Sequence, residues 1–95
     1  MKLITVEAHF QPSKLDSAEQ HISDQADTVR AMPGCKHYAF YRDPSGERLA
    51  IIQHWEDMKT FDAYRSSPTF AALGQGLAPM MASPPVTKVA EIDSI

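Results

Sequence analysis

A chain of 95 residues with a formal charge of -3 is one domain by length, residues 1–95, and lies near the lower end of what buries an adequate core alone. Hydrophobic residues make up 43% and charged residues 22% of it, ordinary values for a soluble globular protein that set aside disordered and fibrous classes. Clustered Lys and Arg are missing, so a nucleic-acid partner is not expected.

Residues 2–10 alternate, with Ile4, Val6, Ala8 and Phe10 on one side and Leu3, Thr5, Glu7 and His9 on the other, which predicts a strand. Gln11-Pro12 stops the pattern. Ser13 followed by Asp16 resembles a capping box, and Leu15, Ala18, Ile22, Ala26 and Val29 recur at three- and four-residue steps. This spacing predicts a helix of about four to five turns, ended by Pro33-Gly34.

Tyr38 to Arg42 and Arg48 to Gln53 are the arms of an expected hairpin, turning through Asp43-Pro44-Ser45-Gly46. Asp57 is placed to cap a short helix carrying Met58, Phe61 and Tyr64, and Ser67-Pro68 to restart a helix with Phe70, Leu73 and Leu77 on one face. Gly74 and Gly76 weaken that helix by roughly 1 kcal/mol each relative to alanine. The uncharged stretch 66–87 is interrupted by Pro68, Pro79, Pro84 and Pro85 and is not expected to span a membrane. Val86 to Ile92 reads as a final strand.

The order β-α-β-β-α-β is the split-βαβ, ferredoxin-like α+β arrangement, an antiparallel sheet with its helices on one face. Apolar residues occur on both faces of the strands, Leu49, Ile51 and Trp55 against Ala50 and Ile52 for example. The second face therefore needs a cover, and a second copy of the chain would supply it. The single cysteine, Cys35, has no internal disulfide partner and suits a reducing cytoplasm. The N-terminus lacks the apolar stretch of a signal peptide, so the chain reads as starting at the fold itself.

No G-x-G-x-x-G, Walker A, C-x-x-C or H-E-x-x-H pattern occurs, leaving nucleotide, flavin, iron–sulfur and zinc sites without support. His9, His21, His37 and His54 are too dispersed to form a local ligand pair. An aromatic and methionine set, including Tyr41, Trp55, Phe61, Tyr64, Phe70, Met80 and Met81, fits either a core or a small pocket, since both draw on these residue types. His37 and Tyr41 share one face of their strand and Gln53 and Trp55 share one face of theirs. If the four face one apolar space, their polar tips need a ligand, water or each other.

Four segments stand out together: Ile4-Thr5-Val6-Glu7-Ala8-His9 followed by Pro12, Met32-Pro33-Gly34-Cys35 with Tyr38, Arg42-Asp43-Pro44, and Trp55-Glu56-Asp57 through Phe61, Tyr64, Ser66, Ser67 and Phe70. Through them the sequence resembles, over essentially its whole length, the antibiotic biosynthesis monooxygenases. The resemblance implies a ferredoxin-like domain paired into a dimeric α/β barrel. It also implies oxygenation of a small aromatic quinol or phenol by O2 without cofactor or metal. Such chemistry needs a dry, oriented pocket, a base and donors for a developing phenolate.

On that likeness His37, Tyr41 and Trp55 are the expected catalytic residues, with Gln53, Phe61, Tyr64, Phe70 and Met80 around the substrate. Phe61 stands where a polyketide-modifying member has a tyrosine, and Ile51 where it has an asparagine. Ala8, Tyr64 and Gly74 replace the Asn, Trp and His of haem-degrading relatives, so haem degradation is not implied. Two other readings fit the same fold: a non-catalytic small-ligand-binding homodimer, and an isomerase or decarboxylase that does not use O2.

Overall fold

The computed structural model describes residues 1–93; the last two positions of the expected 1–95 domain lie outside them. Strands β1 (Lys2–His9), β2 (Cys35–Arg42), β3 (Arg48–Trp55) and β4 (Val86–Glu91) form one antiparallel sheet in the order β2-β3-β1-β4. Helix α1 (Leu15–Arg30) follows β1, and α2 (Met58–Arg65) and α3 (Pro68–Leu77) lie between β3 and β4. The expected βαββαβ order holds, with the second helical segment broken in two.

The break has a local cause. Asp57 caps α2, its carboxylate accepting from the Thr60 backbone N–H at 2.9 Å. Ser67 then caps α3 by accepting from the Phe70 N–H at 3.2 Å, while its hydroxyl donates to the Tyr64 carbonyl at 2.6 Å. One serine thus ends one helix and starts the next. The capping expected of Ser13 is not seen. Pro12–Lys14 form a single 3-10 turn, and α1 begins after Lys14 with no side-chain cap, because proline placed there favours the tighter turn.

Each apolar position predicted for α1 is buried: Leu15, Ala18, Ile22, Ala26 and Val29. They pack on Ile4, Ala8, Tyr38, Leu49, Ile51 and Trp55 of the inner sheet face, where burial drives the association. α1 and α3 approach closely at Gly76, where an added Cβ would land on the His21 ring. Gly34 follows α1 with φ +83°, the left-handed conformation that glycine adopts without strain.

A bulge in β2 determines which side chains reach the core. Cys35 pairs with Trp55, but His37 pairs with His54, leaving Lys36 as the extra residue. Tyr38 and Phe40 therefore turn toward the helices, and His37, Ala39 and Tyr41 turn away. Among the described residues no helix covers that outer face, which carries Leu3 and Thr5 of β1, Ala50, Ile52 and His54 of β3 and Lys88 and Ala90 of β4. β4 is exposed on both sides.

Candidate active site

On β3 the residues facing the helices are Leu49, Ile51, Gln53 and Trp55. A carboxamide among apolar neighbours is costly unless hydrogen-bonded, and the Trp55 indole N–H donates to Gln53 Oε1 at 2.9 Å. Trp55 is 0% and Gln53 3% exposed. The Tyr64 ring stacks on Trp55 with centroids 5.1 Å apart and planes at 17°. Phe70 meets Tyr64 edge-on at 5.2 Å, and Phe61 lies 6.1 Å from Trp55. The three-residue step in α2 puts Phe61 and Tyr64 on one face, and the Ser67 junction brings Phe70 alongside.

Gln53, Phe61, Tyr64 and Phe70 bound a cavity of about 270 Å³ between the inner sheet face and α2 and α3, with Arg65, Gly74, Met81 and Thr87 elsewhere on its wall. A larger depression, about 430 Å³, lies between Met32-Pro33 and the start of α2. It is framed by Asp57, Lys59 and Thr60 and lacks the concentration of aromatic rings around one buried polar group that marks a small-molecule site. Gly74 contributes space to the inner cavity, since an added Cβ there would meet nothing within 4 Å.

Burial pushes the Tyr64 phenol well above its ordinary ionisation, and the charge of Tyr38 adds to the effect. Tyr64 is therefore a protonated donor near neutrality. Tyr38 is shifted in the same direction, mainly by burial. The Tyr64 hydroxyl lies near enough to Tyr38 to offset part of that rise, while the buried Tyr38 Oη makes no well-formed hydrogen bond among the described residues. Cys35 is a free thiol, held up by burial. Among the described residues no group of three His, Cys, Asp or Glu side chains could hold a metal ion.

Four residues expected around a substrate, Gln53, Phe61, Tyr64 and Phe70, come together on the cavity wall. Met80 does not join them: it sits in the 3-10 turn Ala78–Met80, and the neighbouring Met81, bridged to Phe10, lines the cavity instead. Trp55 stands one layer behind, touching the site through Gln53 and Tyr64. The expectation that His37 and Tyr41 share an apolar space with Gln53 and Trp55 is corrected. The bulge at Lys36 places both on the outer face, His37 with its ring 5.0 Å from that of His54 and Tyr41 51% exposed.

Arg65 and Thr87 were not anticipated in the sequence. Arg65 lies four residues after Phe61, a spacing that places both on one helical face, and its guanidinium sits 4.7 Å from the Phe61 ring centroid. Thr87 has no comparable signal, because its place depends on the pairing of β4 with β1.

The fold and cavity define a ferredoxin-like α+β protein with an aromatic-walled site between sheet and helices. The chain belongs to the antibiotic biosynthesis monooxygenase family, whose defining sequence pattern matches residues 1–75. Among solved structures, a protein from Caulobacter crescentus that carries the family name is similar with a TM-score of 0.92 at 22% identity, covering 98% of this chain and 90% of the other. A Nitrosomonas europaea protein, also carrying the family name, has a TM-score of 0.91 at 14% identity, covering 96% and 97%. Rv0793 from Mycobacterium tuberculosis has a TM-score of 0.90 at 18% identity, covering 98% and 96%. At these identities the likeness establishes the fold. No protein of curated function matches the sequence.

Proposed function

We propose that this protein is a cofactor-independent monooxygenase that oxidises a small aromatic quinol or phenol with O2 in the cavity behind Gln53. The observation that carries the reading is the Gln53 carboxamide, buried among aromatic rings and oriented by Trp55, in a member of this family. Phe61, Tyr64 and Phe70 pack the substrate ring. Gln53 Nε2 donates to the oxygen on which phenolate charge develops, and the enclosing walls strengthen that bond by excluding water. The ionised substrate transfers an electron to O2, and the two radicals combine at a ring carbon and take a proton from solvent. The O–O bond of that hydroperoxide breaks as the ring hydrogen leaves with water. The substrate supplies every electron and ends as a quinone, hydroquinone and O2 giving hydroxyquinone and water. Trp55 is a positioning residue in this scheme.

The uncovered outer face is the proposed homodimer interface, closing two sheets into a barrel. Apolar Leu3, Ile52 and Ala90 across neighbouring strands support that role, and His37 and Tyr41 would lie within it. The reduced Cys35 thiol suits a cytoplasmic setting.

Oxygen uptake by metal-free protein with a panel of hydroquinones under air tests the reading. Uptake above buffer is expected with at least one; none across the panel overturns it. A second reading, a non-catalytic ligand-binding dimer, is favoured by the lining itself, where no carboxylate or imidazole is present. Binding without uptake would select it.

A further inference from the structure

The polar part of the cavity wall consists of groups that donate hydrogen bonds. Gln53, Tyr64, Arg65 and Thr87 line it, with no Asp, Glu or His beside them. The orientation of the Gln53 amide is fixed by chemistry, because an indole N–H is a donor only and the atom facing it must be the carbonyl oxygen. Nε2 is thereby left on the other side. It donates to no described residue, and Gln53 lines the cavity although only 3% of the residue is exposed. Two N–H groups in a nearly dry wall call for an acceptor, and a charged acceptor satisfies them best.

Arg65 supplies further donors as the positive half of an ion pair at the rim. Its guanidinium lies over Phe61, and Nη2 is held by Asp62 Oδ1 at 2.5 Å, the only charged contact made to it among the described residues. Among the described residues the other elements facing Gln53 present no charged group: β1 presents Val6, β2 the buried phenol of Tyr38, which pairs with Gln53 and is pushed up by burial, α3 Phe70, Leu73 and Gly74, and β4 Thr87. Tyr64, the other titratable group in the lining, remains protonated near neutrality because it is buried. No wall residue can remove a proton from a neutral phenol, whereas several can bind its anion.

We infer that the cavity selects planar hydroxyarenes or enols that are already ionised in water near neutral pH, the oxyanion accepting from Gln53 Nε2, with the guanidinium N–H groups of Arg65 not taken by Asp62 available to it at the rim. The inference takes the location of the site from the proposed function but does not depend on O2 chemistry. A volume of about 270 Å³ suits one or two fused rings, given that a cavity of roughly 150 Å³ accommodates benzene. The site would therefore sort substrates by acidity as well as by shape, with solvent taking the proton before entry.

The test is calorimetric titration with 4-nitrophenol, which ionises close to neutrality, in buffers well below and well above its midpoint. 4-Nitroanisole, of similar shape but unable to ionise, is the control. The anion is expected to bind about tenfold or more tightly than the neutral phenol, and 4-nitroanisole to compete weakly. Arg65→Gln, at a half-exposed position that should fold normally, is expected to reduce the preference severalfold. Gln53→Glu, which replaces the donors with a carboxylate, should abolish it.

Equal binding of the neutral phenol or of 4-nitroanisole would overturn the inference, as would no binding of either form. Anion binding by a protein that consumes no O2 would overturn the oxygenase reading and leave this one standing. Oxygen uptake with weakly acidic hydroquinones, unaffected by Arg65→Gln, would do the reverse.

Discussion

The Trp55 indole N–H and the Gln53 side-chain oxygen, two residues apart on the buried face of β3, are joined by a hydrogen bond of 2.9 Å. Gln53→Leu would leave that N–H buried without an acceptor, at a cost of about 1–3 kcal/mol. Trp55→Phe removes the donor, so the double variant Gln53→Leu/Trp55→Phe should lose less stability than the sum of the single changes. Denaturant unfolding of the four proteins measures the difference. Additive losses would show that the bond contributes nothing.

The two glycines of α3 should respond oppositely to alanine. At Gly74 the new methyl enters open cavity, and Gly74→Ala should stabilise by about 0.5–1 kcal/mol through helix propensity. At Gly76 it meets the His21 ring, whose Nε2 lies 3.3 Å from the Ala72 carbonyl oxygen, so Gly76→Ala should gain less or destabilise. In a His21→Ala background Gly76→Ala should recover the full gain. Thermal melts decide; equal effects at both glycines in the native background would count against the close packing of α1 on α3.

Tyr38 Oη is buried without a well-formed hydrogen bond among the described residues, an arrangement that carries a desolvation penalty. Tyr38→Phe should therefore leave stability unchanged or raise it by up to about 1 kcal/mol. A loss larger than that in chemical denaturation would mean that the hydroxyl is satisfied in solution.

Acid should destabilise the fold through specific carboxylates. The Thr60 backbone N–H, and then its hydroxyl, hold Asp57 below the ordinary range; Lys2, and then the N-terminal ammonium, do the same for Glu91. A pKa depressed in the folded state contributes stability that is present above the unfolded value, about 4 for these groups. That stability is lost as pH falls through the folded value. Melting temperature should accordingly drop as pH is lowered below about 4. Asp57→Asn, which still caps a helix, should drop less steeply. A parallel decline would remove Asp57 from the account.

The element order was legible because burial follows period: the i, i+3, i+4 pattern of Leu15 to Val29 and the alternation of Ile4, Ala8 and Phe10 each reappear as one buried face. The caps at Asp57 and Ser67 were legible for the same reason, a short-range bond written into adjacent residues. Ser13 misled because Pro12 favoured a 3-10 turn over a side-chain cap. The bulge at Lys36 has no such signature. It arises from pairing between two strands, and it moved His37 and Tyr41 to the opposite face from Gln53. Likewise, a turn of three residues decided that Met81 rather than Met80 reaches the cavity. The site's aromatic wall could be read along the chain; its polar composition depended on tertiary register.

The central claim, that oxidation takes place in the cavity lined by Gln53, is tested most directly by oxygen consumption with a hydroquinone acidic enough to ionise near neutral pH, in the native protein and in Gly74→Leu. The leucine projects into the cavity from a helix it should stabilise. Consumption by the native protein, reduced at least tenfold in a Gly74→Leu variant that melts no lower, is the predicted result. No consumption by either protein, or equal rates in both, would contradict it.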